Sequence, residues 1–291
     1  MNKIFNYVYL TLLLIFSVYV LLNTFVLSSG YKEAKSIEIN NINTSNISSE
    51  YTSDSYEDKY TDINIETYRY NDTTIYVGYI NSEYNLIKTA FADNTYGKNV
   101  TDYTSEIAKD NNAIIAINGD YYGVQEYGYV LRNGVIYRSE SKGNQEDLVI
   151  YEDGTMEIIN ENDISLEELK EKGAYNVLSF GPGLIIDGEI SVSESDEVGK
   201  AMASNPRTAI GVLEDGTIVF VVSDGRTDES EGLSLYELAT FLKDEIGCTL
   251  AYNLDGGGSS TMYFNGEVVN NPTTSGKIKE RKVSDIVYVG Y

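Results

Sequence analysis

Tight turns recur along this chain, and they dictate its fold class. Asn133-Gly134 lies between Tyr129–Arg132 and Val135–Arg138, and Asp153-Gly154 between Leu148–Tyr151 and Thr155–Ile159. Asp215-Gly216 lies between Thr208–Leu213 and Thr217–Ser223, and Asn265-Gly266 between Tyr263-Phe264 and Val268-Val269. An Asx-Gly pair flanked by short apolar runs signals a hairpin, because these residues tolerate the positive φ a tight turn needs. A hairpin makes its two strands antiparallel. Thr74–Ile80 and Asn85–Ala92 are also strand-like, and two near-continuous apolar strands, Ala113–Ile117 and Thr249–Leu254, each follow a helix candidate. Helices are few: Thr101–Asn111, Ser165–Lys172 and Ser234–Ile246. The last two open with Ser and carry Glu three residues on, a capping box, and Gly247 closes the last. The expectation is an α+β fold, a mixed and mostly antiparallel sheet with a few helices, over residues 67–291.

Two segments precede that domain. Ile4–Leu27 holds 24 residues without a charge. About 20 apolar residues cross a bilayer as a helix, and a signal-peptide core is about half as long. Residues 1–27 therefore read as a transmembrane signal anchor, single-pass, with the domain outside the cell. Lys3 favours the N-terminus inside. The alternative is cleavage near Ser28-Ser29-Gly30 and secretion. Residues 28–66 are rich in Asn, Ser, Thr, Asp and Glu. That composition buries too little apolar surface to offset ordering entropy, so a disordered acidic linker is expected.

Composition removes many chemistries. The chain has no His and one Cys, which excludes Ser-His-Asp and Cys-His catalysis, His-ligated zinc, internal disulfides and CxxC redox pairs. Its net charge of -24 makes it a poor partner for nucleic-acid backbones, so no nucleic-acid partner is expected. Carboxylates, guanidiniums, hydroxyls, amides and backbone N–H groups remain. No cofactor is expected. Structural calcium fits an acidic chain in principle, though no EF-hand-like loop is present.

Five segments carry the candidate site. Asn118-Gly119-Asp120-Tyr121-Tyr122 brings an amide, a carboxylate and two aromatic faces to a strand end. Ser179-Phe180-Gly181-Pro182-Gly183 fixes a backbone path suited to a close ligand approach. Asn205-Pro206-Arg207 places a guanidinium in a rigid turn, and Ser223-Asp224-Gly225-Arg226 ends the partner strand of the same hairpin. Arg207 and Arg226 should therefore converge as an anion site. In Asn253-Leu254-Asp255-Gly256-Gly257-Gly258-Ser259-Ser260, three glycines would let backbone N–H groups form an oxyanion nest. No Gly-Lys-Ser/Thr follows, so this is not a Walker A loop.

Together NGDYY, SFGPGLIIDGE, NPRTAIG, SDGR, LDGGGSS and the closing ERKVSDIVYVGY resemble the phosphodiester glycosidase family over about 110–291. The family includes bacterial exported members tied to exopolysaccharides. The resemblance implies hydrolysis of a sugar-1-phosphodiester at the glycosidic carbon, with a carbohydrate phosphodiester of the envelope or matrix as substrate. It implies polar roles for Asn118, Asp120, Arg207, Asp224, Arg226, Asp255 and the glycines after it, and for Arg281 before the final strand. Asp120 and the Tyr121-Tyr122 pair stand where many members have Gly and Phe-Phe. Asp120, Asp224 and Asp255 are the candidate catalytic carboxylates, unranked. Tyr121, Tyr122, Ser259 and Ser260 join the binding set.

That chemistry suits a chain without histidine. An alkoxide leaving group needs a general acid, whereas a phosphate monoester, with a second pKa near 6, departs once its charge is held. Two other readings use the same residues. One is a non-catalytic envelope protein that binds anionic polysaccharide. The other is a metal-dependent phosphodiesterase that cuts P–O.

Overall fold

The computed structural model describes residues 2–25, 30–38, 48–84, 87–196 and 204–291. Three sheets build the body. The largest has nine strands, in the order Glu189–Ile190, Gly183–Ile186, Cys248–Asn253, Thr208–Leu213, Ile218–Ser223, Thr73–Ser82, Thr61–Tyr70, Ser55–Glu57, Glu50–Tyr51. The second has five: Glu267–Val268, Met262–Phe264, Ile115–Asn118, Asp285–Val289, Ile87–Phe91. The third also has five: Val135–Arg138, Val130–Arg132, Ala174–Leu178, Glu146–Tyr151, Met156–Asn160. Neighbouring strands run antiparallel in all three.

The hairpins turn where the Asx-Gly pairs stand. Asn133 and Gly134 have φ of 47° and 79°, and Asn265 and Gly266 have 45° and 97°. At Asp153-Gly154 and Asp215-Gly216 only the glycine enters positive φ, at 88° in both.

Strand alternation divides the core. Phe220 and Val222 point to a central cluster shared by all three sheets, with Ile117, Val287, Leu148 and Leu178. Val219 and Val221 point to the other face of the large sheet, under helix Leu235–Phe241. Helix Thr104–Asp110 covers the outer face of the second sheet, and helix Leu166–Glu171 that of the third. Each sheet thus has one face on a common interior and one under a helix. Both capping boxes form, at Ser165/Glu168 and Ser234/Glu237. The helix from Ser234 differs from expectation in ending as a π-helical turn, Leu242–Ile246, before Gly247 at φ 83°.

The expected linker needs correction where it is described. Thr61–Tyr70 is a ten-residue strand of the large sheet, paired along its length with Thr73–Ser82. Ile63 and Ile65 are buried, alternating with the polar residues between them. Average polarity hid this period-2 pattern. Lys32–Glu33 pairs with Thr95–Tyr96 on the body. Residues 28, 29 and 39–47 of the expected linker, and Asn85-Leu86 of an expected strand, lie outside the described residues.

Asn2–Phe25 is one helix. Its Lys3–Leu21 window has a mean hydropathy of 2.1 and none of it is buried in the protein. The hydroxyl of Thr11 donates to the Tyr7 carbonyl one turn back, which satisfies that polar group within the helix. By length and composition the helix can cross a membrane, and a signal sequence meets the same test.

Candidate active site

The site lies at one end of the large sheet, where four strands deliver their terminal residues. Thr208 pairs with Val222, so the hairpin closes Arg207 against Ser223: the Ser223 N–H donates to the Arg207 carbonyl at 2.9 Å. The Arg207 N–H donates to the Ser223 hydroxyl at 2.9 Å. Ala209 pairs with Asn253 in the next strand, which brings the glycine loop alongside. A small cavity of about 170 Å³ opens between them. Arg207, Arg226, Arg281, Asp255, Gly256, Gly257, Phe180, Asn205, Asn253 and Leu254 line it. Arg207 and Arg226 line one pocket with the glycine loop, the arginines brought together by the hairpin and the loop by the Ala209–Asn253 pairing.

Three guanidiniums face one carboxylate in a chain of net charge -24. Each is held by a different device. Arg207 is buried and its Nε donates to the Leu233 carbonyl at 2.7 Å. Arg226 is exposed, sits at φ 63°, and its Nε and Nη2 donate to Asn205 Oδ1 at 3.1 and 2.6 Å. Arg281 bridges Asp255 Oδ2 from Nη2 at 2.7 Å and donates from Nε to Ser259 Oγ at 2.8 Å. Burial raises the pKa of Asp255 above the ordinary carboxylate value, and Arg281 opposes that shift.

The three glycines do not all turn their N–H groups to the cavity as an oxyanion nest would. The Gly257 N–H is spent on the Pro206 carbonyl at 2.8 Å. At Gly256 a Cβ would stand 2.9 Å from that same carbonyl oxygen. Gly257 has φ 63°, and a Cβ there would meet Arg226 Nη2 at 2.9 Å. Gly258 faces Thr274 Oγ1, which a Cβ would approach to 2.5 Å. The glycines let Pro206, Arg226 and Thr274 close on the loop, beside the three guanidiniums that bring positive charge to the cavity.

Of the three candidate carboxylates, Asp255 alone lines the cavity. Asp224 is buried, and both its oxygens are occupied: Oδ1 by Asn270 Nδ2 and the Asn271 N–H at 3.1 and 2.8 Å, Oδ2 by Asn271 Nδ2 at 3.1 Å and Tyr76 OH at 3.4 Å. It anchors the turn that projects Arg226. Asp120 is fully buried; its Oδ2 accepts from Arg132 Nη2 and the Ser179 N–H at 2.8 and 2.7 Å, and its Oδ1 from the Tyr122 N–H at 3.1 Å. Arg132 also donates to Asp285, so Asp120 belongs to a sealed ion cluster behind the site.

The remaining expected residues divide in the same way. Asn118 is a buried tie: Nδ2 donates to the Asp255 carbonyl at 2.6 Å, and Oδ1 accepts from the Thr208 hydroxyl at 2.8 Å. Tyr121 is half-buried, with Arg281 Cζ 5.8 Å from its ring centroid. Tyr122 is corrected from binding platform to core: it is buried and stacks on Tyr96 at 5.1 Å, beside Phe91 and Tyr137. Ser259 holds Arg281, and Ser260 is fully buried away from the cavity lining. Phe180, Asn205, Asn253 and Leu254 were not foreseen as contacts, although their segments were. Their charge-neutral side chains gave no signal beside the neighbouring Arg and Asp. Among the described residues no group of three or more acidic side chains could hold a metal ion.

The fold agrees with comparisons to known proteins. The model of the phosphodiester glycosidase family matches residues 111–290, and the chain belongs to that family. A prophage-derived uncharacterised protein of Bacillus subtilis is 30% identical over 190 residues, covering 64% of this chain and 29% of that protein. Mouse N-acetylglucosamine-1-phosphodiester alpha-N-acetylglucosaminidase is 31% identical over 176 residues, covering 55% of this chain and 33% of the enzyme. The chain thus spans about a third of the length of these curated relatives. The catalytic domain of the zebrafish enzyme of that name, solved in a form auto-inhibited by its pro-peptide, shares the fold. Its TM-score is 0.64 at 21% identity, covering 90% of this chain and 87% of that one.

Proposed function

We propose that this protein is an exported, membrane-anchored hydrolase that cleaves the glycosidic C–O bond of a sugar-1-phosphodiester in an envelope or extracellular polysaccharide. The observation that carries the reading is the meeting of Arg207, Arg226 and Arg281 with Asp255 in one small cavity. Guanidiniums bind phosphate in planar, bidentate fashion and hold the charge that develops on it as it departs. Family membership supports the reaction class.

Asp255 acts as the base. Its raised proton affinity suits removal of a proton from the attacking water, and Arg281 fixes its orientation. The water oxygen bonds to the anomeric carbon as the C–O bond to phosphate breaks, and the electron pair leaves on the phosphate. A phosphate leaving group needs no proton, so one carboxylate suffices and no partner carboxylate at glycosidase spacing is required. Direct displacement by water inverts the anomeric configuration.

Hydrolysis in oxygen-18 water tests the reading. Label in the sugar, with inverted anomer seen by proton NMR, is the expected result. Label in the phosphate would establish P–O cleavage, and binding without turnover would establish a polysaccharide-binding protein. The apolar N-terminal helix supports anchoring, and fractionation of the intact protein with membranes checks it against release after cleavage.

A further inference from the structure

We propose that Asn253 determines glycosyl specificity: its Oδ1 selects a sugar that presents an O–H or N–H donor to the neutral wall of the cavity. This rests on the sugar-phosphodiester reading above. Asn253 ends its strand with 1% exposure and lines the cavity next to the Phe180 segment. Its backbone N–H donates to the Pro182 carbonyl at 3.1 Å, and its Nδ2 donates to the Gly181 carbonyl at 2.8 Å. A carbonyl only accepts, so the nitrogen of the amide must face Gly181 and the oxygen must point away. That oxygen is buried and has no hydrogen-bond partner.

A buried acceptor without a partner is unfavourable, so one on a residue that lines the cavity calls for a reason. The guanidiniums of the cavity hold other partners: Arg226 is on Asn205, Arg281 on Asp255 and Ser259, and Arg207 Nε on the Leu233 carbonyl. The phosphodiester cannot supply the missing donor, since at neutral pH its oxygens only accept. The glycosyl half of the substrate, with its ring hydroxyls or acylamino N–H, carries donors of the kind this acceptor lacks. The cavity, at about 170 Å³, is smaller than the roughly 300–1,000 Å³ of pockets for drug-sized ligands, which suits one sugar ring rather than a chain. The site is then divided by polarity, with arginines at the phosphate and Phe180 with Asn253 at the ring.

The test uses full-length protein in detergent. The methyl phosphodiesters of glucose-, N-acetylglucosamine- and mannose-1-phosphate are assayed first, and the fastest becomes the parent of a monodeoxy or N-methyl series. Wild type should lose about 10- to 100-fold in kcat/KM on one member and little on the others, because that analogue leaves Oδ1 unpaired. Asn253→Ala should lose a similar factor on the parent and show no further penalty on that analogue. A flat series with wild type, or a penalty that persists in Asn253→Ala, overturns the proposal while leaving the hydrolase reading intact. Absence of turnover on every parent overturns both. Should Asn253→Ala fail to fold, the wild-type series decides alone.

Discussion

Two arginine–aspartate assemblies lie a few residues apart in this molecule, and they do opposite things. In the sealed one, Arg132 spends Nε and Nη2 on Asp285, Nη2 on Asp120, and Nη1 on the Leu131 and Val177 carbonyls. The arginine side chain is 2% exposed and both aspartates are 0%. In the open one, Arg281 is 40% exposed and Asp255 10%, and both border the cavity. Asn118-Gly119-Asp120 joins them: Asp120 enters the sealed cluster, while Asn118 and Gly119 bond the backbone of Asp255. The lesson is that residue type does not separate structural ions from chemical ones. What separates them is whether solvent and ligand reach the groups.

The largest effect expected on that contrast is catalytic. Asp255→Asn should lower kcat by about 10²–10⁴-fold while the denaturation midpoint stays near wild type. A matching loss of stability would move Asp255 into the structural class. Next, Asp120→Ala should destabilise by about 3–5 kcal/mol in urea titration, because it strands part of a buried charge. An Asp120→Ala protein with native stability and no turnover would reverse the assignment. Arg226→Ala should cost about 10²–10³-fold in kcat, with Arg226→Lys between it and wild type, since a point charge cannot reproduce the planar fork. Equal rates for all three would remove Arg226 from phosphate recognition.

A smaller effect depends on pH. Burial, then the neighbouring Asp120 charge, pushes the Asp285 carboxyl up to about 7. The native state thus binds a proton that the unfolded chain releases near pH 4. Stability from this group is complete below the unfolded value and lost as pH rises through about 7. Thermal unfolding from pH 5 to 8 should show a falling midpoint in wild type and a flatter one in Asp285→Asn. A midpoint rising with pH would contradict the sealed-cluster picture. Smallest of all, Tyr121→Leu should raise KM only by the 0.5–1 kcal/mol or so of an exposed cation–π contact with Arg281. A collapse of stability there would class Tyr121 with its core neighbour Tyr122.

Much of this was legible in the chain because it is local. The Asx-Gly hairpins, both capping boxes and the meeting of Arg207 with the Arg226 turn follow from residues close in sequence or locked by one hairpin's register. The first six residues of Thr61–Tyr70 read as linker because two buried isoleucines are few among polar neighbours, and only the period-2 placement of Ile63 and Ile65 reveals a strand. The segment of the site was legible while the contact residue often was not. In NGDYY the acid turned inward and the amide became a tie, and in NLDGGGSS the asparagine faced the cavity.

By itself, then, the sequence determined the antiparallel sheet framework, the exclusion of histidine and internal-disulfide chemistry, and the meeting of two arginines in an acidic chain. Those rest on turn stereochemistry, composition and short-range pairing. Only the tertiary structure decided that Asp255 and not Asp120 or Asp224 faces the pocket, that the glycines serve close packing, and that Asn253 keeps a spare acceptor. Each of these depends on which distant groups arrive to hydrogen-bond a side chain, Arg132 at Asp120, Asn270 and Asn271 at Asp224, Pro206 at Gly257. A linear pattern carries no record of those partners.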